Sequence, residues 1–150
     1  LRALEHKIAN SLAGFSAAGV TLHMTDEGLV ISLAAARFFR SGDAAINPKQ
    51  IPILAAIVRQ IDGLRNLMRV EGFTDSIPIH TVRYADNWDL SAQRAGNVLR
   101  YLLANSTLDA RNLSLAGYGP YRPVASNANE TGRALNRRVD IVIRPLGWKD

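Results

Sequence analysis

Apolar residues recur at Leu4, Ile8 and Leu12, which lays one hydrophobic stripe along a helix over residues 1–13. Gly14 and Gly19 punctuate its exit. Two alternating runs, 20–24 and 29–33, flank Thr25-Asp26-Glu27-Gly28 and predict a β-hairpin with the glycine in its turn. Residues 34–47 show no period and are expected to be irregular, with Phe38-Phe39-Arg40-Ser41-Gly42 at their centre. Asn47 followed by Pro48 is a cap and a first-turn proline. The helix they open runs to about residue 62, buries Ile51, Leu54, Ile57, Val58 and Ile61, and is stopped by Gly63. A strand over 67–73 follows, then a loop over 74–86 that contains Pro78. Asp86 or Asn87 caps a helix to residue 104 with Leu90, Val98, Leu99, Leu102 and Leu103 as its apolar positions. A strand over 113–118 ends in Gly117-Tyr118-Gly119-Pro120. Residues 121–131 form a polar loop, and 139–143 a last strand with Val139, Ile141 and Ile143 inward and Asp140 and Val142 on the other face. Strands separated by helices predict an α+β fold, a mixed sheet with helices packed on one face.

At 150 residues the chain is one ordinary domain, large enough to bury a core. No apolar run approaches the roughly 18 residues that would span a bilayer. There is neither an initiator methionine nor a signal-like segment, so the chain is expected to be a fragment of a longer protein. Eighteen Lys+Arg stand against 13 Asp+Glu, and only Lys7, Lys49 and Lys149 are lysines. Arginine forks suit carboxylate and phosphate geometry better than lysine does. No basic run, finger spacing or aromatic-basic RNA motif accompanies the charge, which argues against nucleic acid. The absence of cysteine excludes disulfides, thiolate chemistry and Cys-based zinc sites.

Few residues are placed for chemistry. His6, His23 and His80 are scattered without metal-ligand spacing, so neither metal nor cofactor is expected. Asp86 and Asp89 suit a helix N-terminus, where acids complement the dipole. Gly117-Tyr118-Gly119 is followed by proline rather than by the helix a phosphate loop needs. No histidine is placed to activate a serine, and no nucleophile elbow occurs. The pair Asp75 and Arg94 differs. Asp75 directly follows an apolar strand, at the sheet's edge, and Asn87, Leu90 and Arg94 share a helical face. An acid and an arginine across a cleft suit a zwitterion with an ammonium and a carboxylate. From spacing alone, a salt bridge, or a capping acid beside a surface arginine, accounts for the same pattern.

Asn87-x-x-Leu90-Ser91-x-x-Arg94-Ala95-x-x-Val98 matches the signature of the OmpA-like peptidoglycan-binding domain. Gly72-Phe73-Thr74-Asp75 resembles that family's Gly-His/Tyr-Thr-Asp segment, with Phe73 where histidine is frequent. Gly132-Arg133-Ala134-Leu135-Asn136-Arg137-Arg138-Val139 resembles its Gly-Arg-x-x-Asn-Arg-Arg-Val segment, and Phe38-Phe39-Arg40-Ser41-Gly42 its Phe-x-x-Gly segment. Ile77-Pro78-Ile79, the long loop and Asn87-Trp88-Asp89-Leu90-Ser91 make the chain most like the periplasmic part of MotB-type flagellar stator proteins.

The resemblance implies a β/α/β/α/β/β core over residues 35–150, preceded by a helix and hairpin extension over 1–34. It implies a non-catalytic domain that holds peptidoglycan by the diaminopimelate of its stem peptide. Asp75 would accept from the ammonium and Arg94 would pair with a carboxylate. Asn87, and Leu90 chiefly through its backbone N–H, would complete the cradle, with Thr74 and Phe39 lining it. Arg138 is a further candidate, with Arg137 or Arg138 holding the loops. The same resemblance implies a periplasmic location within an inner-membrane-anchored protein, a homodimer, and a stator membrane subunit as partner. The alternatives are an envelope-integrity domain of the Pal or outer-membrane type and, from another class, an enzyme acting on the wall.

Overall fold

The apolar stripes meet across one layer of sheet. The computed structural model describes residues 1–15 and 18–150. Its main elements are α1 (Arg2–Leu12), β1 (Val20–Thr25), β2 (Gly28–Ala34), α2 (Ala35–Phe38), α3 (Ile51–Ile61), β3 (Met68–Phe73), α4 (Asn87–Ala104), β4 (Leu113–Gly117), α5 (Glu130–Asn136) and β5 (Arg138–Ile143). Among the described residues the strands form one five-stranded sheet in the order β1-β2-β5-β3-β4. β3 and β4 run parallel, joined through α4, and the other pairings are antiparallel. The mixed α+β sheet expected from the pattern is therefore the observed one.

Alternation decides the faces. Leu29, Ile31, Leu33, Met68, Val70, Val139, Ile141 and Ile143 point to one side. There they pack with Ile8 and Leu12 of α1, Leu54, Ile57 and Ile61 of α3, and Val98 and Leu102 of α4. The opposite face bears Ser32, Glu71, Phe73, Arg138, Asp140 and Val142, all of them buried. The hairpin before residue 35 supplies two of the five strands, and β2 pairs with β5 in register from Leu29↔Ile143 to Ala34↔Arg138.

Several local expectations shift. Residues 35–38 are a single helical turn rather than irregular, and α5 occupies the end of the loop expected over 121–131. Both helices are too short to display a 3.6-residue period. Asn47 caps as expected, its side chain accepting from the Lys49 N–H. The proline, however, opens a 3₁₀ turn before α3 begins at Ile51, and Ile51 itself is only half-buried. β3 lies between β5 and β4, so Asp75 stands past the end of an interior strand and not on a sheet edge.

α4 lies unusually close to β3 and β4. A Cβ on Gly72 would collide with the Ser91 backbone carbonyl, and one on Gly117 would collide with Ala92. Glycine at these two positions lets the first turns of α4 settle onto the strand ends. That settling brings Arg94 within reach of the residues after β3.

Candidate functional site

A cleft of about 540 Å³ opens at this end of the sheet, over the ends of β2 and β3 and the start of β5. Ala35, Phe39 and Gly42 form one wall, and Ile77, Pro78 and Ile79 another. Thr74, Asp75, Asn87, Leu90, Arg94, Arg40, Glu130 and Arg137 supply the rest. Six of the seven residues named from the sequence thus converge on one cavity.

Arg94 is 4% exposed. Its Nε donates to the Asp43 carbonyl at 2.7 Å and its Nη2 to the Arg40 carbonyl at 3.2 Å. The guanidinium lies 5.0 Å from the Phe39 ring centroid, a cation–π arrangement. No carboxylate forms an ion pair with it among the described residues. Burial therefore dominates and pulls its pKa well below the ordinary arginine value, to about 10, with Tyr84, Asp43 and Asp75 only partly opposing. At neutral pH it remains a cation whose partners are two neutral carbonyls.

Asp43 cannot neutralise it directly, because its carboxylate is already occupied. The Ala45 N–H and the Tyr84 hydroxyl both donate to Asp43 Oδ1, at 3.1 and 3.0 Å, and Arg83 lies 3.4 Å from Oδ2. These contacts, the Ala45 N–H first, hold the Asp43 pKa below the usual carboxylate value against some desolvation. Tyr84 also accepts from the Ala44 N–H at 2.9 Å and packs with Ala44 and Leu90. It thereby fastens the loop over 76–86 beside the cleft.

Asp75 is also buried, and each of its oxygens has a partner. Oδ1 accepts from the Ile77 N–H at 3.0 Å, and Oδ2 from Arg137 Nη1 at 2.7 Å. Arg137 reaches Glu130 as well, bridging the two acids. Glu130 first, then Asp75, raises the Arg137 pKa against partial desolvation. Thr74 donates its hydroxyl to the Asp75 carbonyl at 2.8 Å, and its N–H to the Gly119 carbonyl at 2.9 Å. Asn87 Nδ2 donates to the Ile77 carbonyl at 3.1 Å and, at 3.5 Å, to that of Asp75. Asp86 is the cap of α4, its side chain accepting from the Asp89 N–H.

Two expected roles change. The Leu90 N–H already donates to the Asp86 carbonyl at 3.1 Å, as the fourth residue of a capped helix must, so it offers the cleft its side chain only. Arg138 does not line the cleft. It points to the open face of the sheet, 3.8 Å from the Phe73 ring centroid and 3.2 Å from Asp140 Oδ2. Its neighbour Arg137, before the strand begins, is the arginine that enters. The loop-holding role belongs to Asn136. Its side chain accepts from the Val124 and Ala125 N–H groups and donates to the Ala125 carbonyl and Asn127 Oδ1. Arg137 and Glu130 were missed as a pair because Arg137, which Glu130 holds, meets Asp75 from 62 residues away along the chain. The inward alternation of Val139, Ile141 and Ile143 was the available signal, since it consigns Arg138 to the far face.

A cleft lined by OmpA-signature residues, at the end of a mixed sheet, defines the class. The chain belongs to the OmpA family, whose description matches residues 38–137. It is 42% identical over 126 residues to motility protein B of Bacillus subtilis, covering 83% of this chain and 48% of that protein. Among solved structures it resembles the cell wall anchor of the T6SS from Pseudomonas aeruginosa, with 32% identity and a TM-score of 0.82 over 94% of this chain and 99% of that one. It also resembles the periplasmic domain of Helicobacter pylori MotB, with 29% identity and a TM-score of 0.77 over 86% of this chain and 83% of that one. The chain spans about half the length of the motility protein it matches. Among the described residues no helix is long and apolar enough to cross a membrane.

Proposed function

We propose that this domain anchors a flagellar stator unit to the cell wall by binding peptidoglycan, without chemistry, through the diaminopimelate of the stem peptide. The observation that carries the reading is Arg94. A buried guanidinium satisfied by carbonyls but lacking an acid is costly unless a ligand supplies the anion. A carboxylate entering the cleft would meet that need, and Asp75 in the same cavity would take the neighbouring ammonium in exchange for Arg137. Thr74, Asn87, Leu90 and Phe39 shape the walls between them. The likeness to motility protein B and to a cell wall anchor supports the same conclusion.

In this reading the domain works in the periplasm as part of a protein anchored in the inner membrane. It acts as a homodimer and meets a membrane subunit of the stator through a segment N-terminal to the domain. Small polar ligands gain little after desolvation, so each contact is weak and paired domains raise the effective hold. A second reading, an anchor for another envelope machine, is favoured by the near end-to-end likeness to the T6SS anchor. Deletion of the parent gene separates the two: loss of swimming with intact flagella supports the stator.

The binding claim is tested by sedimentation with purified sacculi. Wild type is expected to co-sediment. Asp75→Asn, folded by circular dichroism, should lose at least about thirtyfold in affinity, since truncating one side of a buried charge pair costs about 2 kcal/mol or more. Undiminished binding by the folded variant removes Asp75 from the site, and failure of wild type removes the function.

A further inference from the structure

Trp88 and Tyr121 stand outside both buried clusters of the fold. They are 49% and 69% exposed, yet their rings stack on each other with centroids 5.1 Å apart and planes inclined by 26°. Stacked on each other, the two rings still present about half or more of their surface to water. Arg122, adjacent in sequence, does not cap Tyr121; its guanidinium lies 4.0 Å from the Tyr118 ring centroid instead.

The pair is tied to the cleft from both sides. Trp88 follows Asn87 in the first turn of α4, and the Asn87 side chain is bonded to the backbone of the cleft loop. Tyr121 sits on the turn after β4. In that turn the Gly119 N–H donates to Ser91 Oγ at 3.0 Å, and the Gly119 carbonyl accepts from Thr74, the residue before Asp75. The rings are thus a fixed extension of the wall that carries Asn87 and Asp75.

We propose that Trp88 and Tyr121 form a sugar-stacking platform, which seats a pyranose ring of the glycan backbone from which the stem peptide hangs. A pyranose presents a face of C–H groups that complements the electron-rich face of an aromatic ring, while its hydroxyl edge stays in water. An exposed platform therefore suits a sugar better than it suits a wholly apolar partner. In a stem peptide two residues separate the sugar's lactyl ether from the diaminopimelate, about 7–10 Å of chain. Trp88 directly follows Asn87 of the cleft wall, so a linker of that length suits a sugar on the rings with the diaminopimelate in the cleft. This assignment rests on the peptidoglycan reading of the cleft.

The test compares two ligands by calorimetry: the free stem tripeptide ending in diaminopimelate, and the same tripeptide on its disaccharide. Wild type is expected to bind the disaccharide form about tenfold tighter. Trp88→Ala should bind the free tripeptide as wild type does and lose the increment, and Trp88→Phe should restore part of it. Equal wild-type affinity for the two ligands, or an increment that survives Trp88→Ala, overturns the platform. Failure of wild type to bind either peptide ligand overturns the cleft reading. A separate arm then decides the platform: an N-acetylglucosamine tetramer should shift the fluorescence of Trp88 in a Trp148→Phe background. No shift there overturns the proposal without reference to the peptide.

Discussion

Replacing Arg94 by methionine separates holding the fold from holding the ligand. The change removes a cation that is only 4% exposed and keeps an unbranched stem of similar length. Pulling the guanidinium pKa down to about 10 corresponds to a burial cost on the order of 3 kcal/mol, which the variant no longer carries. Against this, two charge-assisted hydrogen bonds to the Asp43 and Arg40 carbonyls disappear, each worth roughly 1.5–3 kcal/mol, and the contact with Phe39 weakens. The opposing effects leave a net loss of about 1–2 kcal/mol, because water can reach the freed carbonyls through the open cleft. For a domain of this size that lowers Tm by about 3–8 °C. The lowered pKa makes the folded state bind fewer protons than the unfolded chain between about 10 and the ordinary arginine value. The burial cost is therefore present in full and independent of pH near neutrality, and it is relieved only as pH rises above about 10. Sacculus binding at neutral pH should fall at least about thirtyfold while calorimetric melting moves only slightly. A Tm drop beyond about 15 °C would make Arg94 a structural post. Binding within about threefold of wild type would remove it from the ligand site.

Arg138→Ala should show the opposite pattern. Asp140 is 6% exposed and would lose its charged partner, costing about 3–5 kcal/mol in urea unfolding while folded protein still binds sacculi. Glu71→Gln should stabilise the protein at neutral pH. Burial raises the Glu71 pKa, opposed by the Tyr118 hydroxyl, and Asp140 adds to the rise. The folded state then holds the proton more tightly, so wild-type stability falls as pH climbs from the unfolded value of 4.5 through the raised one. The variant's advantage in Tm should be largest above that window and vanish below about pH 4.5; an advantage that persists in acid would refute the assignment.

Much of the fold was legible because its main elements are long and one-sided. α3 and α4 display apolar stripes, and β2, β3 and β5 alternate or run apolar, so their types follow from periods of 3.6 and 2. Asp75 and Arg94 were legible too, since one closes a strand and the other shares a helical face with Asn87 and Leu90. The rest depended on contacts with no local trace. The carbonyls of Arg40 and Asp43 reach Arg94 across 54 and 51 residues, and Arg137 reaches Asp75 across 62. Neighbouring arginines at 137 and 138 go to different places because the chain turns extended between them. A family motif that reads Asn-Arg-Arg does not distinguish the two.

The two charges of the cleft are satisfied in different ways, and that difference sets what can bind. Arg94 is held by neutral carbonyls, which fix its direction but leave its charge unmatched. Asp75 is matched by Arg137, whose side chain is 27% exposed and which keeps a second acid, Glu130, when it lets go. An ion pair with that much access to water is worth little, so an incoming ammonium can replace it at small cost. A ligand with a carboxylate alone would satisfy Arg94 yet crowd Asp75. One with an ammonium alone would displace Arg137 and leave Arg94 as it was. Only a zwitterion improves both positions, so selectivity arises without a deep pocket. The exchange at Asp75 subtracts the little that the Arg137 pair was worth, so the gain there falls only somewhat short of a newly made pair. In the proposed reading a domain built this way binds reversibly, and a firm hold on the wall follows from several such domains acting together.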